Sequence, residues 1–84
     1  MANFPNEQWQ RLDAVIRHCN MTINSFAEHI GLPRSENLYQ IKRGYYMITS
    51  GLADRITELH PEINREWLLT GAGMMFRDDY DAFS

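Results

Sequence analysis

The fold is decided by residues 22–44, which read TINSFAEHIGLPRSENLYQIKRG. Thr22 is a good N-cap for a short helix, and Gly31 can adopt the left-handed conformation that ends one. A tight connection follows, after which Ser35 can cap another short helix that ends at Gly44. The stretch therefore predicts two short helices joined by a turn, with the first helix bracing the second.

Apolar residues recur at intervals of three and four along the chain, which predicts amphipathic helices rather than strands. Four helices follow from this spacing, and they begin near Asn6, after Thr22, after Ser35, and at Thr49 or Ser50. Asn6 is the predicted N-cap of the first helix. The residues predicted to face inward are, helix by helix, Leu12, Val15, Ile16 and Cys19; Phe26, Ala27 and Ile30; Leu38 and Ile41; and Leu52, Ala53, Ile56 and Leu59.

A short fifth helix is predicted over residues 64–69, with Gly71 closing it. Residues 45–48 have strand-like composition but lie between two helix signals, so we expect a loop there. The predicted fold class is all-α, a compact five-helix domain over residues 1–76. A short acidic tail is predicted over residues 77–84.

The spacing within the decisive stretch follows a known pattern. Counted from Ile23, its fourth, fifth, eighth and ninth positions hold an apolar residue, a small residue, an apolar residue and a glycine, namely Phe26, Ala27, Ile30 and Gly31. The pattern resembles the helix-turn-helix of the Cro/CI-type phage-repressor family. That family continues with apolar residues at the fifteenth and eighteenth positions, whereas Leu38 and Ile41 occupy the sixteenth and nineteenth. The turn is therefore predicted to be one residue longer than usual.

A second segment resembles the same family. Residues 64–74 read NREWLLTGAGM, which is similar to the N-x-x-W-L-L-T-G-x-G segment that closes many CI-repressor-type domains. The resemblance covers about residues 7–76 and implies a lambda-repressor-like helix-turn-helix domain. It also implies a sequence-specific double-stranded DNA-binding protein, a transcriptional repressor acting as a homodimer, whose second motif helix lies in the major groove.

Helical geometry selects the residues that would contact DNA. If Leu38 and Ile41 face the core, the polar residues of the same helix face outward. Gln40 can make a bidentate contact to adenine, and Arg43 can contact guanine or phosphate. Glu36 can accept a hydrogen bond from cytosine N4, although its charge repels nearby phosphates. With backbone contacts from cations and tyrosine hydroxyls included, the predicted DNA-contact residues are Arg34, Ser35, Glu36, Tyr39, Gln40, Lys42, Arg43, Tyr45 and Tyr46.

The charge distribution affects the hypothesis that the chain binds DNA. The chain has 8 Lys and Arg against 11 Asp and Glu, a formal net charge of −3, so no global positive field attracts nucleic acid. Residues 31–46 nevertheless hold three cationic residues against one acidic residue, a net +2, whereas residues 77–84 carry −2. So few cationic contacts predict weak binding by one subunit, and specific binding then needs two subunits on neighbouring half-sites.

A protein-interaction module, or an antitoxin that also binds a partner protein, is the alternative function on the same scaffold. The acidic net charge of the chain and the presence of Glu36 among the predicted DNA-contact residues favour this alternative. Ile23 favours it too, because the resembled family often has a glutamine there that contacts a DNA phosphate. Residues 74–76 are apolar and are expected either to pack on their own core or to form a two-fold interface with a second subunit, with the interface favoured.

Several classes of protein are disfavoured. Cys19 is the single cysteine, so no internal disulfide forms and a reducing, cytoplasmic location is expected. The three histidines are scattered without metal-ligand spacing, and no cofactor motif or nucleophile–base set appears, so we expect neither a metal site nor an enzyme. No apolar run approaches the length of a membrane span. Trp9, Trp67 and Phe26 are expected to be core residues.

Overall fold

The structure, a computed structural model, describes residues 7–77. These residues form five α-helices and no strand, which confirms the predicted all-α class. The helices are α1 (Glu7–His18), α2 (Ile23–His29), α3 (Glu36–Lys42), α4 (Ser50–Leu59) and α5 (Arg65–Thr70). None of them is long and apolar enough to cross a membrane.

The chain divides after Met47 into two units, with α1, α2 and α3 in the first and α4 and α5 in the second. The single domain predicted over residues 1–76 stays a prediction. The predicted cap Asn6 and the acidic tail beyond Arg77 lie outside the described residues.

In the first unit, α3 packs against both α1 and α2. The predicted inward positions that are buried here are Leu12, Val15, Ile16, Phe26, Ala27, Ile30, Leu38 and Ile41. Cys19 is only half-buried, because it follows the last turn of α1. Trp9 is also half-buried rather than a full core residue, which fits the general rarity of a completely enclosed indole.

Left-handed residues end α1 and α2. At the end of α2, Gly31 has φ 85° and its N–H donates to the Glu28 carbonyl at 3.1 Å, while the Leu32 N–H donates to the Ala27 carbonyl at 2.9 Å. This pair of bonds is a Schellman motif, which satisfies carbonyls that the helix itself leaves unpaired. Asn20, with φ 60°, ends α1 in the same way. The predicted role of Gly31 is confirmed.

The two predicted N-caps of the first unit differ. Thr22 has an extended backbone (φ −87°, ψ 169°), and its Oγ1 accepts a hydrogen bond from the Ser25 N–H at 3.1 Å, as predicted. Ser35 directly precedes α3, but its backbone is already helical (φ −82°, ψ −5°) and its side chain makes no capping hydrogen bond. The predicted Ser35 cap is therefore wrong, because a capping hydroxyl usually requires an extended backbone at the cap residue.

In the second unit, α4 and α5 pack against each other. Thr49 is the cap of α4, since its Oγ1 accepts a hydrogen bond from the Leu52 N–H at 3.2 Å. Ala53 and Ile56 are buried with Leu52, as predicted. Leu59 is 48% exposed, so its predicted inward orientation is wrong. It is the last residue of α4, and the chain leaves helical geometry at the next residue.

Asn64 and Gly71 bound α5, as predicted. The Asn64 Oδ1 accepts hydrogen bonds from the Glu66 N–H at 3.0 Å and the Trp67 N–H at 3.4 Å, and its Nδ2 donates to the Met74 carbonyl at 3.0 Å. Gly71 has φ 86°, and its N–H donates to the Trp67 carbonyl at 2.8 Å. Trp67 itself is half-buried rather than enclosed.

The structure of residues 74–76 is compatible with both predicted roles, packing on their own unit and forming a subunit interface. Phe76 forms an antiparallel bridge with Ile63, so the backbone of this segment lies against its own unit. The side chains of Met74 and Phe76 are nevertheless 69% and 45% exposed. A subunit interface through this segment stays a prediction.

Candidate nucleic-acid interface

Helix α3 has one buried apolar side and one exposed polar side. Leu38 and Ile41 are both 0% exposed. They are three positions apart and therefore share a face of the helix. Six residues, 30–35, connect α2 to α3, and α3 packs on α1 as well as on α2. The helix is thus held from two directions while its opposite face remains open.

Most of the predicted DNA-contact residues lie on this open side or in the loops that flank it. The exposed members are Arg34, Glu36, Lys42, Arg43, Tyr45 and Tyr46, and the half-buried members are Ser35, Tyr39 and Gln40. The structure therefore brings the predicted set together along one short helix and its two ends, although three members are less accessible than the helical pattern alone indicates.

Tyr39 is partly engaged with the bracing helix. Its hydroxyl donates to the Asn24 Oδ1 at 3.4 Å, and Asn24 lies in the first turn of α2. The distance is at the long end for an O–H···O hydrogen bond, so this contact is weak. Tyr39 accordingly lies beside the open face, where it links α3 to α2.

Lys42 lies toward α1. Its Nζ is 5.9 Å from the centroid of the Trp9 ring, at the outer limit of a cation–π interaction. Lys42 is exposed and the Trp9 indole is half-buried. The two neighbouring cations at the end of α3 have different surroundings, because Arg43 makes no such contact with the described residues.

Three charged side chains around α3 carry unneutralised charge. Within residues 7–77, Arg34, Glu36 and Arg43 form no ion pair and no side-chain hydrogen bond. Elsewhere the pattern is different: the Arg17 Nε lies 2.8 Å from the Asp13 Oδ2 within α1. Arg34 and Arg43 thus present positive charge to solvent, and Glu36 presents negative charge.

A third Schellman motif ends α3 and fixes the start of the loop after it. Gly44 has φ 88°, and its N–H donates to the Ile41 carbonyl at 3.0 Å. The N–H groups of Tyr45 and Tyr46 both donate to the Gln40 carbonyl, at 3.0 Å and 3.3 Å. The loop predicted after α3 is confirmed, and it presents both tyrosines to solvent.

Asn37 is a polar residue of α3 that is not among the DNA-contact residues predicted from the sequence. It is exposed, and its side chain makes no hydrogen bond with the described residues. Successive residues of an α-helix are about 100° apart, so Asn37 lies at the border between the enclosed face and the open one. Only the packing of α3 against its neighbours decides on which side of that border it falls.

The open side of α3 and its two flanking loops offer carboxamide and guanidinium groups to solvent. Carboxamides such as those of Asn37 and Gln40 match the hydrogen-bonding edge of adenine, and arginine matches guanine or phosphate. Residues 7–77 contain no group of three or more His, Cys, Asp or Glu side chains that could hold a metal ion.

Comparison with known proteins assigns no family to this geometry, since no family model, curated protein or solved structure matches the chain. The residues of α3 and of the loops that flank it are therefore the observations that indicate a function.

Proposed function

We propose that this chain is a sequence-specific double-stranded DNA-binding protein, a transcriptional repressor of the phage-repressor type. In this proposal α2 and α3 are the helix-turn-helix of a lambda-repressor-like domain with a lengthened turn, and α3 enters the major groove. The observation that carries it is the open polar face of α3, opposite the enclosed Leu38 and Ile41. No catalytic chemistry is part of the proposal.

The proposed roles divide between bases and backbone. Gln40 and Asn37 read base edges, because carboxamides can donate and accept at once. Arg34 and Arg43 bind phosphates, which suits guanidinium groups without an ion-pair partner in the described part of the chain. Glu36 selects against misplaced phosphates by repulsion and accepts from a cytosine amino group. The remaining predicted contacts, from Ser35, Tyr39, Lys42, Tyr45 and Tyr46, are to the sugar–phosphate backbone.

The proposed protein acts as a homodimer. Few cations surround α3, and each neutralised phosphate contributes only about 0.9 to the slope of log affinity against log salt. One subunit would therefore bind weakly. Two subunits on half-sites about one turn of DNA apart double the contacts, and occupancy of such a site blocks access to a promoter.

Selection from a pool of randomised duplexes tests the proposal directly. The full chain is incubated with the pool at low salt, bound duplexes are amplified, and the enriched sequence is then titrated against random competitor DNA. We expect an enriched, two-fold-related sequence that outcompetes random DNA by at least about a thousandfold in affinity. If no duplex outcompetes random DNA at low salt, the repressor function is wrong.

Arg43→Ala is expected to weaken binding to all duplex sequences to a similar extent, because a phosphate contact carries no sequence information. The slope of log affinity against log salt should fall in magnitude by about 0.9 per subunit. Fluorescence anisotropy of a labelled enriched duplex across a salt series measures this change.

Arg17→Ala is the matched control for that experiment. Its side chain is 79% exposed and lies on α1, paired with Asp13, and its removal changes the net charge by the same amount. We expect its salt slope to equal that of the unmodified chain. An equal fall in slope for both variants would mean that only total charge matters and that Arg43 makes no specific phosphate contact.

A further inference from the structure

Three consecutive large apolar side chains are exposed in the loop after α3. Tyr45, Tyr46 and Met47 are 74%, 55% and 70% exposed. Single exposed apolar residues are normal, whereas several exposed in one short loop favour an interaction site. The patch lies within the first unit and next to the C-terminal end of α3.

The loop presents this patch in a defined conformation. At its start, the N–H groups of Tyr45 and Tyr46 are both bonded to the Gln40 carbonyl. Because these hydrogen bonds hold the start of the loop, binding there loses less conformational freedom, which favours recognition.

The charge around the patch indicates the sign of its partner. From Asn37 to Met47 the charged residues are Lys42 and Arg43, and there is no Asp or Glu, although the chain has 11 of them. Arg43 forms no ion pair within residues 7–77. An acidic partner is therefore complementary to this part of the surface.

The DNA backbone would leave part of the patch unused. Tyrosine hydroxyls can donate to phosphates, but the Met47 side chain has no donor and only a weak acceptor in its thioether. Burial of its apolar surface is favourable, and a contact with phosphates alone would not bury it. A protein segment that combines acidic groups with apolar side chains therefore matches this surface better than the DNA backbone does.

We propose that residues 42–47 form a docking surface for an acidic protein segment that carries aromatic or aliphatic side chains. The apolar side chains of the segment cover Tyr45, Tyr46 and Met47, and its carboxylates face Arg43. This interaction goes beyond DNA recognition. Because Arg43, Tyr45 and Tyr46 are also proposed DNA-backbone contacts, the segment and DNA exclude each other on this surface, and peptide binding is measured in the absence of DNA.

The test uses a labelled synthetic peptide in which Glu residues are interspersed with Leu and Phe, titrated with the full chain. Met47→Ser is expected to weaken peptide binding roughly tenfold, the loss that corresponds to exposing one methionine side chain. The control is Leu59→Ser, since Leu59 is an apolar residue that is 48% exposed and lies in the second unit, outside the docking surface. We expect Leu59→Ser to bind the peptide like the unmodified chain, and circular dichroism of both variants to show unchanged helix content.

Two further peptides separate the contributions of charge and apolar contact. Replacing Glu by Lys, or Leu and Phe by Ser, is expected to abolish most of the binding. Absence of binding by the original peptide, equal weakening by Met47→Ser and Leu59→Ser, or equal binding of the serine peptide would overturn the proposal. Binding of single-stranded DNA that falls in Met47→Ser, or self-association that falls in it, would instead assign the surface to nucleic acid or to a second copy.

Discussion

Phe26→Ala is expected to lower the free energy of unfolding by about 3–5 kcal/mol. Phe26 is 0% exposed and is the largest fully buried side chain among residues 7–77. It lies in α2, which has only seven residues and is too short to be stable as an isolated helix. The burial of its apolar face therefore holds α2 in place. Because small domains have total stabilities of only about 5–15 kcal/mol, this single change removes a large part of the total.

Urea denaturation followed by far-ultraviolet circular dichroism measures this loss. Phe76→Ala provides a control of the same residue type, since Phe76 is 45% exposed, and we expect it to cost about 1 kcal/mol or less. If Phe26→Ala does not fold, Phe26→Leu still reports on the site, with an expected loss of about 1 kcal/mol. Equal losses at positions 26 and 76 would contradict the packing described for α2.

The helices could be predicted because local chemistry marks their ends. Thr22 and Asn64 accept hydrogen bonds from the backbone of the first turns they cap, and Gly31 and Gly71 have the positive φ that terminates α2 and α5. These effects act between residues a few positions apart, so the sequence contains all the information they need. The spacing of apolar residues adds the direction in which each helix faces.

The errors occur where geometry is set by more distant parts of the chain. Ser35 has the right side chain for a cap, but the connection from α2 gives it a helical backbone. Leu59 continues the apolar spacing of α4 but stands at its last position, where it is 48% exposed. Residue type and spacing alone do not distinguish these two positions from a functioning cap and a core leucine.

The sequence predicts the open side of α3, as it predicts the helix ends, but it does not predict the contacts between helices. The enclosed Leu38 defines which side of α3 is open, and this follows from periodicity. The contact of Tyr39 with Asn24, by contrast, joins residues fifteen positions apart on two helices. The contact of Lys42 with Trp9 joins α3 to α1. Such contacts depend on how the helices pack, so the sequence does not show that these two side chains are turned away from the centre of the open face.

Gln40→Ala is expected to reduce discrimination at one base pair of the recognised duplex by about 1–3 kcal/mol. The Gln40 side chain is half-buried at the open face and makes no hydrogen bond with the described residues. Its backbone carbonyl accepts from Tyr45 and Tyr46, and these bonds survive in the variant. Alanine also favours helix. The substitution therefore removes the recognising carboxamide while leaving α3 intact.

The most direct measurement of the central claim, that α3 recognises bases in the major groove, compares the unmodified chain with Gln40→Ala. Binding free energies are measured for the enriched duplex and for each of its single-base-pair substitutions at one salt concentration. We expect the Gln40→Ala variant to lose the preference at one base pair in each half-site and to retain the preferences at all other positions. Uniform weakening across all positions, or an unchanged pattern of preferences, would contradict it.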